Sequence, residues 1–160
     1  MEGWSNFFMA ETGAAAALIG LLFVAISINL PRILEHAHLP GRAAEALTML
    51  VGALIICSLT LLPGQPRPAL GAEILVIGLA VLLYPVFSRS WVVWNEEGAP
   101  MPSLLTRLAL TFLPAAPLPL GGLALALGQP WGLYLVAVGV LMAFVSAVIN
   151  CWVLLVEILR

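Results

Sequence analysis

The chain has 160 residues, of which 62% are hydrophobic and 9% charged, and its mean hydropathy is +1.12. A soluble domain is about half apolar and roughly a quarter charged, so this composition requires an apolar solvent. Lys and Asp are absent, all 6 basic residues are Arg, and a net charge of −2 argues against nucleic acid as a partner. The sequence predicts an all-α integral membrane protein embedded in the lipid bilayer.

The first residues of the chain predict an interfacial segment. They carry Glu11 and lack the basic region that opens a signal peptide. Trp4, Phe7 and Phe8 are residues of the kind found at membrane–water interfaces. We expect residues 1–12 to lie on the membrane surface ahead of the first span.

Five apolar runs, separated by short segments rich in Pro, Gly and Arg, predict a five-transmembrane-helix bundle that forms a single domain, 1–160. Each run is near or above the roughly 18–20 residues needed to cross about 30 Å of hydrocarbon. Pro31 is expected to end the first of them. The predicted spans are 13–30, 43–62, 70–87, 104–127 and 131–159.

The Arg residues orient this five-span topology. Basic residues favour the cytoplasmic side, and five of the six Arg fall on one side together with the C-terminus. The N-terminus is therefore expected outside and the C-terminus in the cytoplasm. The five are Arg32, Arg42, Arg89, Arg107 and Arg160, and only Arg67 lies on the opposite side.

Stripes of small and polar residues follow the first and fifth helices. Small faces let helix backbones approach closely, whereas an amide or carboxylate in the membrane is expected to face protein or water. The first helix has a small-residue stripe of Ala10, Gly13, Ala17, Gly20, Val24 and Ser27. Its second stripe consists of Glu11, Ala15, Leu18, Leu22, Ala25 and Asn29. One face of the fifth helix holds Gly139, Ala143, Ser146, Asn150, Val153 and Glu157.

These stripes allow two interpretations, helix packing or the lining of a pore. The pore candidates are Ser27, Asn29, Ser146, Asn150 and Glu157. Charged residues near the span ends also allow two interpretations, which are ion pairs between helix ends or an ion-selective vestibule. The candidates for these pairs are Arg42, Glu45, Glu73, Arg89 and Arg107.

The fourth span contains Pro114, Pro117 and Pro119, followed by Gly121 and Gly122. Each proline lacks an N–H and obstructs the carbonyl four residues earlier, so we expect this helix to be broken near the bilayer midplane. Unwound backbone at that depth is buried in protein or lines a watery cavity, as in transport sites. A kink that only improves packing is the alternative.

Catalytic chemistry finds little support in the sequence. Without Lys and Asp there is neither a Walker A loop nor an aspartyl site, and no HExxH motif occurs. His36 and His38 lie in a loop, where a solvated role is favoured over metal binding. Cys57 and Cys151 are expected to be buried free thiols. We predict no enzyme, no catalytic residue, no metal and no cofactor.

The segment from Glu11 to Leu30, with Glu11-Thr12-Gly13-Ala14 at its start and Leu22-Phe23-Val24-Ala25 within it, resembles a group of small, uncharacterised bacterial membrane proteins. The ending Val153–Ile158 is similar too. Some members carry the label "modulator of FtsH protease". The resemblance implies a multi-pass protein of the bacterial inner (cytoplasmic) membrane and transfers no functional residue.

Two functions fit these features. A homo-oligomeric ion channel or small-solute transport protein is favoured, and five short spans would need several copies to enclose a pathway. The alternative is a non-transporting accessory or regulatory subunit that binds another membrane protein, such as a membrane protease.

Overall fold

The computed structural model describes residues 2–35, 39–87 and 112–158, with side chains over 3–35, 39–87 and 112–152. Within these ranges all regular secondary structure is helical, and one helical turn, 112–115, precedes the fourth of the main helices. In chain order these are α1 (Glu2–Glu35), α2 (Leu39–Thr60), α3 (Arg67–Phe87), α4 (Pro117–Ala126) and α5 (Gly132–Ile158).

Four of these helices, α1, α2, α3 and α5, are long and apolar enough to cross a membrane, and Phe112–Ala126 forms a shorter apolar helix. The predicted all-α bundle of a multi-pass membrane protein is confirmed at this level. The bounds of α2, α3 and α5 lie within about four residues of the predicted runs. Residues 104–111 of the fourth run lie outside the described residues.

The first helix is longer than the sequence predicts. It is continuous over 34 residues, or about 51 Å at 1.5 Å per residue, so the predicted interfacial segment is the first part of α1. Pro31 lies inside α1, and the prediction that it ends the helix is wrong. The proline removes a single backbone hydrogen bond close to the helix end, which is a cost that helices in apolar surroundings commonly tolerate.

The predicted break in the fourth span is limited to one residue. Ala116 is a turn residue that keeps helical dihedrals, and its N–H donates to the carbonyl of Phe112 at 2.9 Å. From Pro117 the helix is regular, so the expectation of unwound backbone as far as Gly122 is wrong. Pro117 and Pro119 stand in the first turn of α4, where backbone N–H groups have no intrahelical partner and proline costs little.

A glycine ends α4 in a Schellman motif. Gly128 has a φ of +79°, a conformation that glycine adopts without steric cost. Its N–H donates to the carbonyl of Leu125 at 2.9 Å, and the N–H of Gln129 donates to Ala124 at 2.8 Å. Both bonds satisfy carbonyls that the helix end leaves open, and they turn the chain into α5.

The helices pack around α4 and α2. α4 lies between α3 and α5, α2 packs against α3 and α5, and α1 packs mainly on α2 with a smaller contact to α5. The main core draws buried side chains from all five helices, among them Phe8, Ile56, Ile74, Leu118 and Val136. This arrangement leaves α1 as the most peripheral of the long helices.

Glycines bring α4 into backbone contact with both of its neighbours. A Cβ atom on Gly78 of α3 would lie 2.6 Å from the nitrogen of Pro119. On the other side of α4, a Cβ atom on Gly121 would lie 2.8 Å from the carbonyl oxygen of Gly132 in α5. Because real Cβ atoms do not approach so closely, only glycine permits these spacings.

Contacts at the helix ends define the direction of each helix. The ring centroid of Trp4 lies 4.8 Å from that of Tyr134, which places the start of α1 beside the start of α5. Gly71 at the start of α3 meets the backbone of Ala126 at the end of α4. The start of α1, the α2–α3 turn and the α4–α5 turn therefore share one end of the bundle, the amino-terminal end. The last turn of α1 and the first turn of α2 lie at the opposite end.

We predict that Gly122→Ala destabilises the fold while Gly20→Ala does not. A Cβ atom at position 122 would lie 2.8 Å from the Cα of Leu75 and 2.9 Å from the carbonyl oxygen of Gly71, whereas one at position 20 meets no atom within 4 Å. Overpacking of this kind costs about 1–3 kcal/mol, and Gly→Ala in an unobstructed helix gains about 0.5–1 kcal/mol. Unfolding of the detergent-solubilised monomer measures both changes, and equal stabilities for the two variants would contradict the packing.

Candidate functional site

The polar pore candidates of α1 are bonded within their own helix. The Ser27 hydroxyl is exposed and donates to the carbonyl of Phe23 at 2.8 Å. The half-buried Asn29 amide donates through Nδ2 to the carbonyl of Ala25 at 2.9 Å. Bonds to the residue four positions earlier satisfy a polar group locally and let it remain in apolar surroundings.

The predicted polar face of α5 turns toward the protein. Ser146 is 2% exposed. The half-buried Asn150 donates through Nδ2 to the backbone carbonyl of Ser146 at 3.1 Å. Gly139 and Ala143, on the same face, are buried as well. Glu157 lies in α5, but its side chain is outside the described residues.

The broken-helix candidates are buried between helices. Pro114, Pro119, Gly121 and Gly122 are buried and Pro117 is half-buried. Both glycines lie against neighbouring backbone, Gly121 against α5 and Gly122 against α3. These contacts favour the packing alternative over a watery cavity at this position.

The charge-pair candidates fall at opposite ends of the bundle. Glu45 is 6% exposed, and Arg42 precedes it by three residues, one turn away on the same face of α2. At the amino-terminal end, Glu73 accepts a hydrogen bond from the Nε2 of Gln65. Among the residues described at this end, the Gln65 amide is thus a hydrogen-bond partner of Glu73. Arg89, Arg107, His36 and His38 lie outside the described residues.

Aromatic side chains close the amino-terminal end of the core. Trp4, Phe7 and Phe8 form ring contacts with one another at centroid distances of 5.1 to 6.0 Å, and Phe8 is 1% exposed. Trp4 also meets Tyr134 edge-on. These residues, expected at the membrane surface, tie the start of α1 to the helical core.

A groove opens on the side of the bundle between α1, α2 and α5, with a volume of about 270 Å³. We call it the α1 groove. Its lining is apolar except for Asn29 and Cys151, and its rim residues Leu21 and Val148 are exposed. The lining residues are Leu18, Leu21, Leu22, Ala25, Ile26, Asn29, Ile33, Leu50, Ala147, Val148 and Cys151.

The small-residue stripe of α1 faces away from the bundle. All six of its residues are exposed, whereas Ala15 and Leu22 of the second stripe are buried. A Cβ atom built on Gly13 or on Gly20 would meet no atom within 4 Å. We call this surface, Ala10, Gly13, Ala17, Gly20, Val24 and Ser27, the outward stripe.

Comparison with known proteins finds no matching family, no matching curated protein and no matching solved structure. Candidate surfaces therefore follow from the geometry of the chain itself. Two such surfaces among the described residues are the outward stripe and the α1 groove. Sequence reasoning identified the stripe but missed the groove, because a groove depends on which helices become neighbours.

Proposed function

We propose that the protein is a non-transporting accessory protein of a membrane assembly, and that it associates with a second copy of itself through the outward stripe of α1. The observation that carries this proposal is the contrast between two sets of glycines. Gly71, Gly78, Gly121 and Gly122 lie against neighbouring backbone inside the monomer, whereas the stripe glycines of α1 meet nothing.

Small residues that face lipid contribute little to the insertion of a helix in the membrane, since they bury less apolar surface than Leu or Ile. Between two helices they permit close backbone approach, and van der Waals packing drives association in the membrane. Gly13 and Ala17 are spaced by four residues, as are Gly20 and Val24. This spacing supports a helix–helix contact along most of the span.

Self-association through the outward stripe is compatible with insertion of every copy in the same direction. Two copies inserted in the same direction are related by an axis along the membrane normal, so each presents the same stripe to the other. Their α1 helices would run parallel, and the stripe would pack against itself. A close pair of this kind encloses no pathway, which is why we favour an accessory role. A membrane protease complex is the assembly that the sequence resemblance suggests.

A homo-oligomeric channel is the second candidate, and the Ser27 hydroxyl favours it. This hydroxyl is exposed and belongs to the outward stripe. In a ring of several copies, rather than a pair, α1 helices would surround an axis and Ser27 would line it. The two candidates therefore differ in the number of copies and in the space between them.

We predict that Gly20→Leu weakens self-association in a lipid bilayer at least about tenfold, or about 1.4 kcal/mol. The Leu side chain would hold the two backbones apart. Fluorescence energy transfer between labelled copies in liposomes, measured over a dilution series, gives the association constant. The matched control is Ala80→Leu, which places the same side chain at an exposed position on α3. Equal effects of both variants, or a wild-type protein that stays monomeric, would overturn the proposal.

A flux assay separates the accessory role from the channel. Purified protein in liposomes is expected to give no K⁺ or H⁺ flux above protein-free liposomes, with gramicidin as the positive control. Flux that depends on the protein and changes with Ser27→Val would instead establish the channel.

A further inference from the structure

The α1 groove is elongated and runs along α1. Its α1 lining extends from Leu18 to Ile33, which is about 22 Å along the helix. Ile33 lies near the end of α1, and Leu18 lies near its middle. The groove thus begins at the end of the bundle opposite the amino-terminal end and runs toward the centre of the apolar span.

The chemistry of the lining suits a hydrocarbon chain. An apolar cavity of this kind offers water almost no hydrogen bonds, so water is not a stable occupant. Its volume of about 270 Å³ is just below the range of drug-sized ligand pockets, which begins at about 300 Å³. Leu21, Ala25 and Val148 on the rim are exposed to the surroundings of the bundle, which in a membrane are lipid chains.

Among the described residues, the polar groups of the groove lie at one end. Asn29 lines the groove, and its amide keeps a second N–H beyond the one bonded to Ala25. Arg32 follows three residues later on the same side of α1 and is exposed. An Arg guanidinium matches the geometry of a phosphate with two parallel hydrogen bonds.

We propose that the α1 groove binds one phospholipid, with an acyl chain between α1, α2 and α5 and the phosphate at Arg32. The length of the groove fits this occupant, since half of the hydrocarbon core is about 15 Å thick and the headgroup region extends beyond it. The described charges at this end, Arg32 and Arg42 with Glu35 and Glu45, cancel formally. Recognition therefore rests on the phosphate itself, and zwitterionic and anionic phospholipids bind alike.

Native mass spectrometry of the delipidated full chain in detergent tests this site. With added dioleoylphosphatidylcholine or dioleoylphosphatidylglycerol, we expect one retained lipid per chain. Dioleoylglycerol, which lacks the phosphate, is expected to bind at least about tenfold more weakly, a difference of about 1.4 kcal/mol. Equal retention of dioleoylglycerol, or a broad distribution of bound lipids without a preferred single one, would overturn the proposal in favour of annular lipid.

Two pairs of variants locate the lipid. Ala25→Leu fills the groove and is expected to lower phospholipid retention at least about fivefold, whereas Ala80→Leu on α3 leaves it unchanged. Arg32→Gln is expected to remove the preference for phospholipid over dioleoylglycerol, whereas Arg67→Gln at the amino-terminal end does not. Equal behaviour within either pair would place the lipid elsewhere.

The wild-type chain provides a readout that is independent of variant folding. Cys151 lines the groove, so a bound acyl chain should slow its reaction with N-ethylmaleimide. We expect phospholipid to reduce the labelling rate at least about threefold and dioleoylglycerol to have little effect at the same concentration. A labelling rate that responds to protein concentration and not to phospholipid would instead identify a second copy as the occupant, and would overturn the lipid site.

Discussion

The close approach of α4 to α3 and α5 is the contact on which the rest of the bundle depends. In a membrane, burial of apolar side chains gives helices little preference for each other over lipid, so association relies on shape. α4 has ten residues and no charged side chain. Gly122 fits it to α3, and Gly121 fits it to Gly132 of α5. With α3 and α5 on either side of α4, α2 packs against both α3 and α5, and α1 packs on the outside of α2.

The small residues of the monomer fall into two groups, one that packs inside the bundle and one that lies on its outer surface. The glycines of α3, α4 and α5 create the interior contacts, while Gly13 and Gly20 of α1 contribute to none of them. The polar groups follow the same division. Asn150 is half-buried on the inner face of α5, and Ser27 is exposed on the outer face of α1. Each donates a hydrogen bond to the carbonyl four residues earlier in its own helix. Hydrogen bonds of this kind leave both side chains free of any need for water, which suits helices that pack against other helices.

The apolar pattern of the sequence predicts the helices but does not predict which helices contact each other. The bounds of α2, α3 and α5 follow from hydropathy because each helix must satisfy its own backbone in an apolar medium. Pro31 and Pro117 were misjudged for one reason, since the cost of a proline depends on its distance from a helix end. Periodicity also separated the two stripes of α1. The sequence of α1 alone does not show which stripe turns inward or that a groove forms beside it. Both depend on the helices that pack against α1.

The proposed function requires that the outward stripe, which is exposed on the monomer, is covered by protein in the membrane. Site-directed spin labelling along α1, one position at a time from 10 to 28, measures this most directly through the accessibility of each label to dissolved oxygen in reconstituted bilayers. We expect low accessibility at positions 13, 17, 20 and 24 and high accessibility at Leu21, Phe23 and Ile28, which are also exposed on the monomer. Uniformly high accessibility at all of these positions would contradict it, since the stripe would then face lipid.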